Sequence, residues 1–370
     1  MTKDLTRGSP FKVLLQFSLP VIGGNLFQLF YTLADTVIVG RTLGTEALAA
    51  VGSTTIIIYF VLCFIQGFTG GFGICLAQRF GAQNVKGQRE SIAVSWLLSA
   101  CFTVGITALF CGVSHPILRW MQTPADIYAQ AYDYMFVVLL GTGATVFYNM
   151  ISNMLRSLGD SKTPLLFLIF SALLNVALDV IFIVPLRMGV AGAAWATVLA
   201  QLLSALLCTV VGVRNFDVLR TRLEDFSEWK KTAVNHLKIG FPMGFQMSVM
   251  CIGQLAMQAA VNAIGSAAIA GYTAATKVDQ LSVLMNNAFG IALSSYVAQN
   301  YGAGKYQRIR DGVRASLIQT ESCNVLMCVF LLAMRNWIVP LFLEEPTAEV
   351  IRYSSQYLFA VAPFYLILGL

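Results

Sequence analysis

Leu43-Gly44-Thr45-Glu46-Ala47-Leu48-Ala49-Ala50 reappears, with small changes, as Ile264-Gly265-Ser266-Ala267-Ala268-Ile269-Ala270-Gly271. Further along, Ala77-Gln78-Arg79-Phe80-Gly81-Ala82 reappears as Ala298-Gln299-Asn300-Tyr301-Gly302-Ala303. Gly44 and Gly265 are 221 positions apart, as are Ala77 and Ala298; Pro20 and Pro242 are 222 apart. Two separate motifs at one offset mark a duplicated unit, and each unit must bury its apolar surface against the other or against lipid.

Composition decides which. Of 370 residues, 57% are hydrophobic and only 11% are charged, with a mean hydropathy of +0.71. A soluble domain carries about 25% charged residues. So few charges cannot cover a water-exposed surface of this size, and a soluble enzyme is excluded. The net charge of +6 does not indicate nucleic-acid binding, because the basic residues sit in short loops and form no continuous face. The eight cysteines show no CxxC or metal-ligand spacing. Cys63, Cys75, Cys101, Cys111, Cys208, Cys251, Cys323 and Cys328 lie in or near apolar runs and read as small buried hydrophobes.

What remains is a polytopic helical membrane protein built on spans of about 20 residues. Ten spans are expected: 13–39, 46–76, 91–113, 131–154, 164–184, 189–212, 239–264, 267–297, 313–339 and 351–370. The segment Met1 to Lys12 lacks the short h-region and small-residue cleavage site of a signal peptide, so the first run is expected to stay as a helix. Placing the N-terminus and every second loop on one side puts 18 of the 24 basic residues there, against five on the other, with Lys277 inside a span. That asymmetry predicts a cytoplasmic N-terminus.

Six spans precede the repeat. An even-numbered unit re-enters the membrane in the same orientation, so the halves are expected to be related by a pseudo-two-fold along the membrane normal. The expected fold is an all-α pair of six-helix bundles, with residues 1–213 as the first, 214–238 as a cytoplasmic linker, and 239–370 as the second. The linker mixes Glu224, Asp225 and Glu228 with Lys230 and Lys231, as a solvated connection does. Tyr357-Leu-Phe matches Tyr134-Met-Phe, which aligns Leu370 with about residue 147 of the first copy. On that register about ten helices are present. The second bundle is expected to be incomplete, lacking the equivalents of residues 148 to 213.

Ionisable groups inside a bilayer are functional candidates by default. Asp35 falls near the outer end of span 1 and Asp179 near the outer end of span 5. Asn175 is one turn deeper than Asp179 on the same face. Thr197 enters span 6 from the outside to a similar depth. Two carboxylates, an amide and a hydroxyl supply hard oxygen ligands suited to Na⁺, and equally a seat for a proton. Two close carboxylates in a dry site cannot both ionise cheaply. Tyr31 and Gln28 lie one and two turns below Asp35. Pro20 removes a hydrogen bond from span 1 and could hinge it. Asn149 and Asn153 on span 4 are candidates for the same network, though Asn and Thr also join helices together structurally.

The second half has no such set. The positions matching Asp35 are Ala256 or Met257. Span 8 instead carries Lys277 and Asp279, at i and i+2 and so on different faces, and span 9 carries Glu321. These three are read as lining a substrate cavity or pairing helices.

The segment Leu33-Ala-Asp-Thr-Val-Ile-Val-Gly40, the Ala-Gln-x-x-Gly-Ala loops, Leu155-Arg-Ser-Leu-Gly-Asp-Ser-Lys-Thr-Pro164 and Gly192-Ala-Ala-Trp-Ala-Thr197 resemble the multidrug and toxic compound extrusion (MATE) family. The resemblance covers the chain except for the missing helices. It implies an ion-coupled antiporter that exports drugs or organic cations in exchange for Na⁺ or H⁺. In that frame Asp35, Asn175, Asp179 and Thr197 match the family's cation site in the first lobe. Some members carry acidic residues in helices 7 and 10 of the second lobe, and span 7 here departs from that pattern.

The expected partners are a cationic or amphipathic small molecule and the lipid bilayer. The coupling ion is the only cofactor, and the chain is expected to be a monomer in the plasma membrane. Gly304-Lys305-Tyr306 is no P-loop, so no nucleotide motor is expected, and neither HExxH nor GxSxG occurs to suggest an enzyme. Two alternatives stay open. One is a lipid-linked oligosaccharide flippase of a related branch, which would need a strongly cationic cavity. The other is an inactive truncated transporter.

Overall fold

The computed structural model describes residues 4–262, 264–335, 337 and 347–368. The described residues form helices joined by short turns: α1 (Pro10–Leu43), α2 (Thr45–Gly81), α3 (Val85–Trp120), α4 (Tyr128–Leu140), α5 (Thr142–Ser157), α6 (Lys162–Ile183) and α7 (Gly189–Asn215) make the first lobe. Two short 3₁₀ turns connect it to the second, which comprises α8 (Trp229–Asn262), α9 (Ser266–Gly302), α10 (Tyr306–Met334), α11 (Ala348–Val361) and α12 (Tyr365–Leu368). Eight of these helices are long and apolar enough to cross a bilayer.

The span expected at 131–154 is not one helix. It is the pair α4 and α5, bent by 41° at Gly141, the residue between them. α7 passes closely at the same point: a β-carbon on Gly141 would overlap the side chain of Val198. The expected span 351–370 becomes α11, a 3₁₀ turn at Ala362–Phe364, and α12, and its last two residues lie outside the described set. So do most of the residues expected to end span 9.

The duplication is visible in the backbone. α2 and α9 are both 37 residues long, and their first and last residues are each 221 apart. Each is preceded by a glycine at positive φ, Gly44 at 88° and Gly265 at 127°. The turns that follow them also match, with Gln83 at φ 55° and Gly304 at φ 69°. Glycine adopts that region freely, whereas the first copy places a glutamine there.

Local chemistry explains the Leu158-Gly-Asp-Ser-Lys-Thr-Pro164 turn. α5 ends in a Schellman arrangement in which Gly159 N donates to Arg156 O and Asp160 N to Leu155 O, with Gly159 at φ 87°. This satisfies carbonyls the helix end would orphan. Asp160 then caps α6: its Oδ1 accepts from the backbone N–H of Lys162 and Thr163, both at 3.0 Å.

The lobes meet most closely on the face that carries the N-terminus and the basic loops, here the basic face. α2 packs against α8 through small residues. A β-carbon on Gly71 would stand 2.6 Å from Cα of Gly240, and Gly67 and Gly244 make similar approaches to Met243 and Phe64. Small residues let membrane helices approach closely. The α2–α9 crossing is reciprocal: Gly81 sits against the backbone of Gln299, and Gly302 against the backbone of Gln78.

Each lobe also straps the lead-in of the other. The α9–α10 turn holds the segment before α1, through Leu5 N to Gln299 Oε1 (3.1 Å), Lys305 Nζ to Thr6 O (2.9 Å) and Arg308 to the carbonyls of Arg7 and Gly8 (2.8 and 2.6 Å). The α2–α3 hairpin holds the start of α8 through Arg79, Glu90 and Ser91.

Candidate functional site

α1, α6 and α7 are neighbours in the first lobe, and each delivers polar atoms to one spot in the half remote from the basic face. Asp35 lies eight residues before the end of α1, Asp179 four residues before the end of α6, and Thr197 eight residues after the start of α7. Asn175 and Asp179 are 1% and 0% exposed.

Asn175 decides the local order. Oriented with its nitrogen toward the carboxylate, it donates to Asp179 Oδ2 at 3.1 Å and accepts from Thr197 Oγ1 at 3.2 Å. The reverse orientation would set its carbonyl oxygen against Asp179, acceptor against acceptor. The Asp35 and Asp179 carboxyl groups are within hydrogen-bonding reach of each other, and Tyr31 lies against Thr197.

One oxygen of each acid, Asp35 Oδ1 and Asp179 Oδ1, is buried with no hydrogen-bond donor. Buried polar atoms are normally satisfied, and the exceptions call for an explanation. Here the unmet acceptors converge from two helices, beside an amide and a hydroxyl. The two unmet carboxylate oxygens fit a small hard cation or a proton, while the Asn175 amide, which donates to Asp179, holds that carboxylate in place.

Tyr134 of α4 is a member that sequence reasoning missed. It packs beside Val39, Ala47 and Ile183 and stands within electrostatic range of Asp35, Tyr31 and Asp179. A signal was present, since Tyr134-Met-Phe is itself half of a repeat match.

Other expected members lie elsewhere. Asn149 donates to the Thr145 carbonyl of its own helix (2.9 Å), and Asn153 donates to Thr69 Oγ1 of α2 (3.1 Å). Both sit on α5; Asn153 serves the α2–α5 contact and Asn149 bonds within its own helix, so neither hydrogen-bonds the carboxylates. Gln28 is exposed two turns from Asp35, and α1 runs through Pro20 as a continuous helix.

In the second lobe the structure separates the three candidates. Asp279 is turned into the lobe rather than toward a cavity. Its Oδ1 accepts from Tyr365 of α12 and its Oδ2 from Tyr357 of α11, the latter at 3.2 Å. One layer deeper, Asn286 donates to Asn324 Oδ1 (2.9 Å), and Asn324 donates to the Tyr365 carbonyl (2.8 Å). Glu321 of α10 has Oε1 buried without a donor. Lys277 is exposed and shares a stripe of α9 with Leu284, seven residues on. The Leu284 carbonyl accepts from Asn25 of α1 at 3.1 Å, so that stripe follows the seam between the lobes.

Not every cysteine is buried as expected: Cys101 is exposed, while Cys63, Cys75, Cys208 and Cys251 are buried, and all eight thiols are free.

Comparison with known proteins agrees with this architecture. Residues 20–181 and 242–370 match the MatE family model, so the two stretches begin at the paired residues Pro20 and Pro242. The chain is 33% identical over 371 residues to the probable multidrug resistance protein YpnP of Bacillus subtilis, covering 99% of this chain and 81% of that protein. It is 24% identical to an FAD transporter of Shewanella oneidensis, covering 97% and 80%. The structure superposes on a MOP superfamily transporter from Pyrococcus furiosus with a TM-score of 0.90 at 26% identity, covering 99% of this chain and 82% of that one. That protein is described by the reverse polarity of its binding pocket. Family match, relatives and two-lobed helical fold together place this chain in the MatE family of multi-pass membrane transporters, proteins that move small molecules and are not enzymes.

Proposed function

We propose that this chain is an ion-coupled antiporter that exports drugs or organic cations across the plasma membrane, with Asp35, Asn175, Asp179 and Thr197 as the coupling site for Na⁺ or H⁺. The observation that carries this reading is the pair of buried, donorless oxygens on Asp35 and Asp179. A cation or proton entering between them removes the repulsion of two ionised acids in a medium where that repulsion is large. It thereby favours the conformation of α1 that holds Asp35 against α6. A substrate that prefers the other conformation is released as the ion binds, and the two affinities are reciprocally linked. A potential of 100 mV supplies about 2.3 kcal/mol per charge moved, enough for roughly fiftyfold accumulation. The basic face, with 18 of 24 basic residues, is the cytoplasmic one in this reading, which supports a cytoplasmic N-terminus.

The test is efflux of a fluorescent organic cation from proteoliposomes with an imposed Na⁺ or pH gradient. Gradient-driven efflux that Asp35→Asn and Asp179→Asn abolish is the expected result. Efflux indifferent to both gradients, or unchanged in both variants, overturns the reading.

A further inference from the structure

A cavity whose lining is mainly apolar but carries basic groups lies far from the carboxylate pair, at the basic face, where the two lobes close. It has a volume of about 340 Å³, and its walls come from both lobes: Cys75, Gln78 and Arg79 of α2 on one side, Asn235, His236, Lys238 and Ile239 of α8 on the other. Its charged lining residues are Arg79 and Lys238; Glu90 stands behind Arg79 and partly pairs its charge, which leaves Lys238 as the lining cation with no acid in contact among the described residues.

The site is built rather than incidental. Arg79 is held rigidly, with Nη1 donating to the Gly87 carbonyl (2.7 Å), Nη2 donating to Thr232 Oγ1 (2.8 Å), and Glu90 Oε2 at 3.9 Å. His236, 0% exposed, has both ring nitrogens committed. Nδ1 is 2.8 Å from the Thr232 carbonyl and Nε2 is 2.9 Å from Ser91 Oγ. A carbonyl only accepts, so Nδ1 carries the proton and Nε2 accepts from the serine hydroxyl. The ring is thus a fixed wall. Lys238 and Asn235 at the rim are exposed.

The level in the membrane matters too. Arg79 is near the end of α2, and Lys238 is nine residues into α8, flanked in sequence by Lys86, Arg89, Lys230 and Lys231. This is headgroup depth on the basic side, where basic pockets between helices recognise anionic headgroups.

We propose that this cavity binds a phosphate group, and that the bound phosphate bridges Arg79 of the first lobe to Lys238 of the second. The bridge would stabilise the arrangement in which Gly71 and Gly240 are in contact, so the ligand acts on the conformational equilibrium and not on transport chemistry. This inference is independent of what the transporter carries.

The test uses the full chain in nanodiscs of zwitterionic phosphatidylcholine. One arm adds phosphatidylglycerol to the bilayer, and the other titrates inorganic phosphate into lipid without it. Binding is read by native mass spectrometry, and the helix seam by hydrogen exchange of residues 232–240. The expected result is binding with slowed exchange at the seam. Lys238→Gln should weaken it about fivefold and Asn235→Lys strengthen it about fivefold, corresponding to about 1 kcal/mol per basic residue near an anionic group. A response confined to phosphatidylglycerol identifies a lipid headgroup as the source, and a response in both arms identifies the phosphate itself. Absence of binding in both arms, or equal affinities for the wild type and both variants, overturns the proposal.

Discussion

The two lobes descend from one repeated unit, yet the Asp35–Asp179 pair of the first and Asp279 of the second are buried in opposite ways, although Glu321 of the second lobe also keeps one oxygen without a donor. In the first lobe Asp35 and Asp179 meet across α1 and α6 and leave one oxygen each without a donor. In the second lobe Asp279 gives both oxygens to tyrosine hydroxyls, from Tyr357 and Tyr365. The repeat sharpens the contrast, because Tyr134 and Tyr357 are the matching tyrosines. One stands beside an unsatisfied acid pair and the other donates to a satisfied acid. A satisfied buried acid ties helices together; an unsatisfied pair waits for a cation or a proton. The same ancestral scaffold therefore supports a structural carboxylate on one side and a candidate coupling site on the other.

The largest expected effect comes from breaking the first member of that contrast. Asp179→Asn should reduce gradient-driven efflux by at least about a hundredfold, the result of removing a group on which the coupling depends. It should leave the thermal unfolding temperature unchanged or higher, because a neutral amide no longer faces Asp35 as a like charge. A fall in stability alongside the lost efflux would show that Asp179 is structural, as Asp279 is.

Breaking the second member should do the reverse. Asp279→Leu leaves two tyrosine hydroxyls buried without an acceptor, which costs about 1–3 kcal/mol for each. Unfolding in detergent should show the loss, while the ion dependence of whatever efflux remains should keep its form. Loss of ion dependence in a folded Asp279→Leu protein would place the coupling in the second lobe instead.

A smaller effect is expected from Thr197→Val. It removes a hydroxyl that donates to Asn175 but keeps the shape, so apparent ion affinity should fall by roughly three- to tenfold, equivalent to about one hydrogen bond. A concentration series of the coupling ion, at fixed substrate, measures it. An unchanged midpoint would remove Thr197 from the site.

The smallest is Tyr357→Phe. Asp279 keeps its bond from Tyr365, so the expected loss is about 1 kcal/mol of stability with transport intact. If this variant acquired a new ion dependence, freeing a single carboxylate oxygen would be enough to make the second lobe resemble the first.

Much of the architecture was legible in the sequence, for a plain reason. In lipid, every backbone polar group must be satisfied within its own segment. A long apolar run therefore declares a helix with little help from its neighbours. The 221-residue offset between Gly44 and Gly265 carries the two-lobe plan, because a repeated motif needs a repeated backbone turn. Asp35 and Asp179 could be singled out because charge at that depth is costly wherever the side chain points.

The failures have an equally physical cause. Asn149 and Asn153 were placed by depth alone, and depth does not say which neighbour a helix face meets. α5 packs against α2, where Asn153 meets Thr69. Asp279 reads as a cavity residue in the sequence because its partners lie 78 and 86 positions away and are uncharged tyrosines that carry no mark of the pairing.

The sequence by itself determined that this is a duplicated helical membrane protein with an asymmetric charge distribution and two acids inside spans of the first lobe. Membrane insertion and helix periodicity depend on local residues, and local residues are what a sequence displays. Only the tertiary structure decided which acids are left unmet and which are satisfied. It also decided that the lobes close through glycines on the basic face, with Arg79 and Lys238 across one cavity. These outcomes depend on which side chains reach a given atom within about 3 Å, and that is settled by the packing of helices far apart in the chain.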